Sequence, residues 1–386
     1  MKYFYGEFDG EEFPTQDQLF GQNELMNFIL RHGDDAMDAL QNMLENGDDE
    51  QLQEMIEQMI QDGLLEKDGQ GNLKLTPKAV KGMQQKALME VFADLRHGQR
   101  EGHRKVTQGA SGERIEGTKP YQFGDPVSDL DLHATLSNAM HRQGLPDFKS
   151  GGKLSFGERD MEMHLHEGTT SCSTVVLLDM SGSMMRYGRW LNSKRVAMAM
   201  QALVTQRFPQ DTIDFVGFYS GAEQIKERDL PLVMPKPVTI YDYQVRLKVP
   251  KSKLDRAPQH FTNLHMGLQV ARRILRKRAV DNKQVFIITD GQPTAHVEGD
   301  DVHLLYPPDP RSTAATLKEA LIAAREGVRF ATFALVEDYW GMDWVGFVDQ
   351  LTKLTKGVSF YTASGDLSHC VMESYLSGRK KKSFVG

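Results

Sequence analysis

Val175-Val176-Leu177-Leu178-Asp179-Met180-Ser181-Gly182-Ser183-Met184 sets the architecture of this chain. Four consecutive branched aliphatics predict a buried parallel strand, because a strand covered on both faces need not alternate. The polar cluster falls where that strand ends. In open α/β sheets, ligands bind in the crevice beyond the carboxyl ends of the strands. Asp179, Ser181 and Ser183 stand at alternate positions there and can point at one spot. An oxygen-only cluster of this kind suits a hard divalent cation such as Mg²⁺.

Outward from this run the pattern alternates. Strands are predicted at 174–179, 212–218, 284–289, 328–335 and 357–361, with a short one near 223–226. Helices are predicted at 188–207, 265–278, 311–326, 343–354 and 365–377. An extended, proline-bearing stretch precedes the second helix. Alternating β and α elements imply an α/β fold: a doubly wound, mostly parallel six-stranded sheet with helices on both faces. Two more loops then belong with the first. Phe261-Thr262-Asn263-Leu264 lies just before a helix. Ile287-Ile288-Thr289-Asp290-Gly291 is an apolar strand ending in aspartate and glycine. One doubly wound sheet brings all three loops to the same end.

This set resembles the von Willebrand factor A (VWA) domain and its metal-ion-dependent adhesion site (MIDAS), over residues 171–378. The family's site is Asp-x-Ser-x-Ser, a threonine from a second loop and an aspartate from a third. The matching residues here are Asp179, Ser181, Ser183, Thr262 and Asp290. The resemblance implies a Rossmann-like domain binding Mg²⁺, with Mn²⁺ as an alternative. Three neutral hydroxyls and two carboxylates act directly or through water. Mg²⁺ keeps waters and near-octahedral geometry, so such a shell leaves a position open. In the family a partner's Asp or Glu carboxylate fills it. The implied function is metal-dependent protein binding, as an adaptor for an AAA+ ATPase of the MoxR or magnesium-chelatase type, and not turnover.

The same residues admit other chemistries. A Ser181 or Ser183 nucleophile needs a Gly-x-Ser-x-Gly elbow and a histidine base. The elbow is missing, although His260 and His265 flank Thr262. Asp179 as phosphoryl acceptor is conceivable at a strand end, but a serine stands two positions later where a second aspartate is usual. A metal-dependent hydrolase or phosphoryl-transfer enzyme is therefore the alternative reading. In a plainer reading Ser181 and Ser183 cap the following helix and Asp290 caps a turn. His164 and His166 share a strand face and suit Zn²⁺, but no third ligand is evident. No Gly-x-x-x-x-Gly-Lys phosphate loop occurs.

The first 170 residues lie outside the resemblance. Residues 1–95 predict a separate, acidic, mainly helical domain. Helices are expected at 34–46 and 49–62, a hairpin at 64–75, and a helix at 78–95 opened by Thr76-Pro77. The hairpin followed by a helix resembles the wing of winged-helix domains. Residues 1–70 hold 18 Asp/Glu against three Lys/Arg, while the whole chain carries −7, so the remainder is net basic. That acidity argues against nucleic acid, whose binding rests on neutralised phosphates. Residues 96–119, rich in glycine, are expected to be a flexible linker, and 120–170 a connecting segment. The latter includes a helix from Asp131 to Met140 with Leu132, Leu136 and Met140 inward, and a strand or hairpin at 153–166. Residues 379–386 form a basic tail. Two cysteines, Cys172 and Cys370, predict a reducing compartment. With no apolar leader and no membrane-length apolar run, the expectation is a cytoplasmic protein.

Overall fold

The structure, a computed structural model, describes residues 25–46, 50–95, 114–121, 130–144, 155–166, 171–280, 282–336, 345–363 and 365–377. The chain divides into two compact units, residues 102–172 and the remainder.

In the larger unit the six-stranded sheet is built as its alternating sequence requires. Its strands are β5 (Cys172–Asp179), β6 (Thr212–Phe218), β7 (Ala222–Ile225), β9 (Asn282–Thr289), β12 (Val328–Leu335) and β13 (Val358–Thr362). They lie in the order β13-β12-β9-β5-β6-β7. The observed pairings are parallel except that of β7 with β6, which is antiparallel. β5 sits where the winding reverses, between β6 and β9. Its apolar run serves two cores at once. Val175 and Leu177 join the face covered by α7 (Leu264–Arg276), α8 (Pro310–Arg325) and α9 (Val345–Thr355). Val176 and Leu178 join the other face, under α6 (Arg189–Arg207) and α10 (Leu367–Ser377). Every residue from Ser173 to Asp179 is buried.

The helical N-terminal region adds a layer without adding a strand to this sheet. It comprises α1 (25–32), α2 (Asp34–Asn46), α3 (Glu50–Gln61), the hairpin β1 (Leu65–Lys67) and β2 (Leu73–Leu75), and α4 (Pro77–Leu95). The hairpin and the Thr76 cap form as expected. Leu65 pairs with Leu75, and Thr76 Oγ1 accepts from Ala79 N at 3.2 Å. Helix α1 is an addition to the sequence reading. The apolar side chains of α1, α2 and α4 share one core with α6 and the sheet. The reason lies in α6, whose middle from Val196 to Val204 is apolar except for Gln201 and is buried throughout. A helix of that kind needs cover on both sides. The sheet supplies one side and α4 the other.

A lysine fastens this layer. Lys194 on α6 is fully buried. Its Nζ donates to Leu30 O at 3.0 Å and to Pro231 O at 2.9 Å, and lies 5.7 Å from the centre of the Trp190 ring. Burial pushes its ammonium down to about 7, with the Asp34 charge opposing. Asp34 is itself pushed up, first by burial and then by Asp38, Asp229 and Asp35. An unfolded lysine holds its proton to about pH 10.4. Between about pH 7 and 10 the unfolded chain therefore binds more protons, and stability rises with pH; below that window the penalty is constant. Urea unfolding at pH 7 and 9 should show the wild type gaining about 1 kcal/mol per pH unit relative to Lys194→Met. Parallel pH profiles for the two would refute this.

The proline-bearing stretch and the segment after Asp290 hold an arrangement the sequence reading did not assign. β8 (Val245–Pro250), β10 (Ala295–Glu298) and β11 (Asp301–Tyr306) form a three-stranded antiparallel sheet in the order β10-β11-β8. Its small core is Val245, Phe261, Ala295, Val302 and Leu304. The 53-residue separation of β8 and β11 partners such as Val249 and Val302 is invisible to a local window.

The smaller unit corrects the linker boundary. Residues 114–120, expected to close a flexible linker, form β3 (Arg114–Pro120) and pair antiparallel with β4 (Glu162–His166). α5 (Leu132–Gln143) is capped by Asp131, which accepts from His133 N and Ala134 N. Its buried residues are Thr135 and Ala139, while Leu132 is 74% exposed. Of the expected inward face Leu132 and Leu136 are exposed and Met140 is half-buried, while Thr135 Oγ1 on the buried side accepts from Glu162 N at the start of β4. The expected residues 1–24, 96–113 and 379–386 lie outside the described residues.

Candidate functional site at the carboxyl ends of β5 and β9

Asp179 is the last residue of β5, and Asp290 follows the last residue of β9, the neighbouring strand. Both carboxylates therefore arrive at one crevice, at the point where the winding reverses. Asp179 is 0% exposed. Its Oδ1 accepts from Ser181 N at 2.8 Å, which folds the loop back over the strand end. Its Oδ2 accepts from Thr289 Oγ1 at 2.6 Å. Ser181 Oγ and Ser183 Oγ are 3.1 Å apart, and Ser183 Oγ donates to Asp290 Oδ1 at 2.8 Å. Four of the five expected residues are thus joined in one hydrogen-bonded chain.

Thr262 comes from the adjoining loop and is held by its backbone. Its N–H donates to Thr294 Oγ1 at 2.8 Å, and its carbonyl accepts from Thr294 N and Ala295 N. Asn263 caps α7 and also donates from Nδ2 to Ser220 O at 2.8 Å. Gly182 N donates to His260 O at 3.1 Å, tying this loop to the Asp179–Ser183 loop. The approach is close: a Cβ on Gly182 would lie 2.4 Å from Val238 Cγ2. Any larger residue would have to displace Val238 and would crowd His260 Cβ at 3.2 Å.

Two acidic side chains share this buried site. Asp179 is pushed up to about 7, first by burial and then by the charge of Asp290, against the lowering hydrogen bonds of Thr289 and Ser181. The donor set is all oxygen, two carboxylates and three hydroxyls, which matches Mg²⁺ or Mn²⁺ and not a soft metal. These residues fit such an ion. Two members were not anticipated. Thr289 stood in the quoted Thr-Asp-Gly but had no role assigned. Arg189, the first residue of α6, donates from Nη1 to Asp290 Oδ2 at 2.7 Å. An arginine at a predicted helix start carries no sequence signal for this contact.

The competing chemistries find less. His265 Nδ1 accepts from Val297 N at 3.0 Å, and His260 Nδ1 faces Thr239 N at 3.3 Å. Burial pushes both imidazoles down, His265 to about 4. The hydrogen bonds of Ser181 and Ser183 run to each other and to Asp290, so neither hydroxyl is set against the histidine base that the serine-nucleophile reading needs. His164 Nδ1 lies 3.4 Å from Asp131 Oδ2, and among the described residues no three His, Cys, Asp or Glu side chains gather around a metal position.

Comparison with known proteins agrees with the fold. The family model described as Rv0959-like protein, vWA domain matches residues 172–376, and that of the Rv0959-like protein, third domain matches 113–165. The second match falls within the smaller unit. The uncharacterized protein Rv0959 of Mycobacterium tuberculosis H37Rv is 31% identical over 337 residues, covering 86% of this chain and 46% of that protein. The uncharacterized protein Mb0984 of Mycobacterium bovis matches to the same extent. The chain thus spans about half the length of the curated relatives it matches. Among solved structures, BatB from Bacteroides thetaiotaomicron matches with a TM-score of 0.36 and 16% identity, over 54% of this chain and 98% of that one. The vWF domain of the type V pili tip protein Mfa5 from Porphyromonas gingivalis matches with a TM-score of 0.37 and 14% identity, over 56% and 99%. Among the described residues no helix is long and apolar enough to cross a membrane.

Proposed function

This chain belongs to the Rv0959-like vWA-domain family, and on that footing we propose that it is a metal-dependent protein-binding module. Asp179, Ser181, Ser183, Thr262 and Asp290 hold a Mg²⁺ or Mn²⁺ ion as a MIDAS, and the ion receives a carboxylate from a partner protein. The observation that carries this reading is the pairing of two buried carboxylates with serine hydroxyls at the winding reversal. A bound divalent ion supplies a Lewis-acidic position for an anion. The chain's own residues do the rest. Asp179 shapes the loop through Ser181 N, Ser183 orients Asp290, and the backbone bonds of Thr262 fix the second wall.

The partner motor proposed is a MoxR-type or related AAA+ ATPase, in a cytoplasmic setting. Support comes from the family resemblance and from the exposed acidic face of α2 and α3, which includes Asp35, Asp38, Glu45, Glu54 and Glu57. Such a face favours a basic partner surface.

Affinity purification of the full chain with Mg²⁺ present tests the module reading. The captured partner should be lost in EDTA and restored by excess Mg²⁺. Thr262→Ala should lower recovery at least about tenfold, the cost of one lost polar contact of about 1.4 kcal/mol, with an unchanged melting curve. Recovery of the same partner with and without EDTA would sink the reading. Metal-dependent turnover of a small substrate without any partner would favour the enzymatic alternative.

A further inference from the structure

Asp290, like Asp179, has both carboxylate oxygens engaged, but one of its partners is a cation. Ser183 Oγ donates to Oδ1 at 2.8 Å and Arg189 Nη1 to Oδ2 at 2.7 Å. The Asp290 side chain is 0% exposed and that of Arg189 10%. So dry an ion pair is held by its surroundings, since two charges leave water only where geometry compensates them. The backbone is bent to make it. Tyr187 (φ 55, ψ 22) and Gly188 (φ 68, ψ 10) are consecutive left-handed residues. Tyr187 carries a Cβ in that conformation, which L residues with side chains rarely adopt. The turn sets Arg189 at the first position of α6, with the Tyr187 ring centre 5.0 Å from its guanidinium carbon.

The charge balance has a consequence. With the ion bound and both carboxylates ionised, Asp179 and Asp290 bring two negative charges to the site and Arg189 brings one positive charge. A divalent ion added to the two carboxylates alone gives neutrality; added to all three groups it leaves one positive charge over. The guanidinium also matches a carboxylate in shape, presenting paired N–H donors to paired oxygens.

We propose that Arg189 makes this site a joint receptor for a divalent cation and one carboxylate group. It competes with the ion for Asp290, and it leaves the loaded site one charge short of neutral, which a single Asp or Glu side chain of the partner supplies. Arg189 is thus an affinity- and specificity-determining residue. The inference rests on the metal-site reading above and adds to it. Metal alone binds weakly, metal and carboxylate bind cooperatively, and an uncharged acceptor such as an amide is rejected.

Mn²⁺ titration of the full chain followed by electron paramagnetic resonance tests this, with and without excess acetate. The expected results for the wild type are weak Mn²⁺ binding and an affinity raised at least about fivefold by acetate. Acetamide should have no effect. Arg189→Gln should bind Mn²⁺ alone about tenfold tighter, because a unit charge a few ångströms from a divalent ion has gone, and should lose the acetate effect. Arg189→Lys keeps the charge and should bind Mn²⁺ alone as the wild type does. A wild type indifferent to acetate overturns the proposal whatever the variants do. So does an Arg189→Gln chain that binds Mn²⁺ no tighter than wild type while Asp179→Ala fails to bind, and in that case the metal-site reading survives. If the wild type and Asp179→Ala bind Mn²⁺ alike, both readings fall.

Discussion

Asp179→Ala is expected to abolish the thermal stabilisation that Mn²⁺ or Mg²⁺ gives the wild-type chain. A ligand that binds only the folded state at a hundredfold excess over its Kd stabilises by about 2.7 kcal/mol, and this whole increment should vanish. The apo variant should remain close to wild type in stability, since two effects oppose. Alanine leaves Ser181 N and Thr289 Oγ1 without their acceptor, at about 1 kcal/mol each. It also removes a fully buried carboxylate that burial and the Asp290 charge disfavour. Asp179→Asn separates the terms: it keeps an oxygen for Ser181 N but lacks the charge, and should also fail to respond to metal. Differential scanning calorimetry with and without Mn²⁺ provides the measurement. A metal-induced shift of wild-type size in Asp179→Ala would place the ion elsewhere and remove the basis of the proposed function.

Gly33→Ala is expected to be the most destabilising single methyl addition in the N-terminal region. Gly33 joins α1 to α2 at φ +59, and a Cβ there would lie 2.0 Å from Leu232 O and 2.6 Å from Met234 Cγ. The left-handed conformation and the overpacking together predict a loss of about 2–5 kcal/mol. Gly63→Ala is the control. It has φ +68 but nothing within 4 Å of the added carbon, so it should lose only about 1 kcal/mol. Urea denaturation of the two variants measures the difference. Equal midpoints would mean that the approach of α1–α2 to Leu232 contributes nothing.

The stakes at Gly33 reach beyond stability, because the strap it touches continues to the site. Pro231 O accepts from Lys194, Val233 O accepts from Trp190 Nε1 at 3.1 Å, and Lys236 N donates to Met180 O at 2.8 Å. Val238 then meets Gly182. One strand of backbone thus runs from the N-terminal helices to the loop that carries Ser181 and Ser183.

Much of this was legible in the residues. The run from Val175 to Leu178 announced a strand buried on both faces, and the structure uses both faces. Asp-x-Ser-x-Ser at its end and Thr-Asp-Gly at the end of another apolar run placed the two carboxylates at neighbouring strand ends. The short-range signals that set these elements act over a few residues, as the Thr76 cap and the Leu65–Leu75 hairpin also show. The inward face of α5 was misjudged because apolar spacing alone does not say which side meets a strand, and there a threonine hydroxyl did so. Strand β3 was hidden by Gly117 within it and by the glycines around it.

What the sequence by itself determined was the alternation of strands and helices, the winding that follows from it, and the identity of the oxygen-bearing residues at the strand ends. Backbone handedness and local apolar patterning suffice for these. Only the tertiary structure decided the docking of α1–α4 on α6, the β8–β10–β11 sheet, and the seat of Arg189 on Asp290. Each joins segments far apart in the chain, Arg189 and Asp290 being 101 residues apart. The favourable energy of such contacts appears only after the intervening chain has folded, so no local pattern records them.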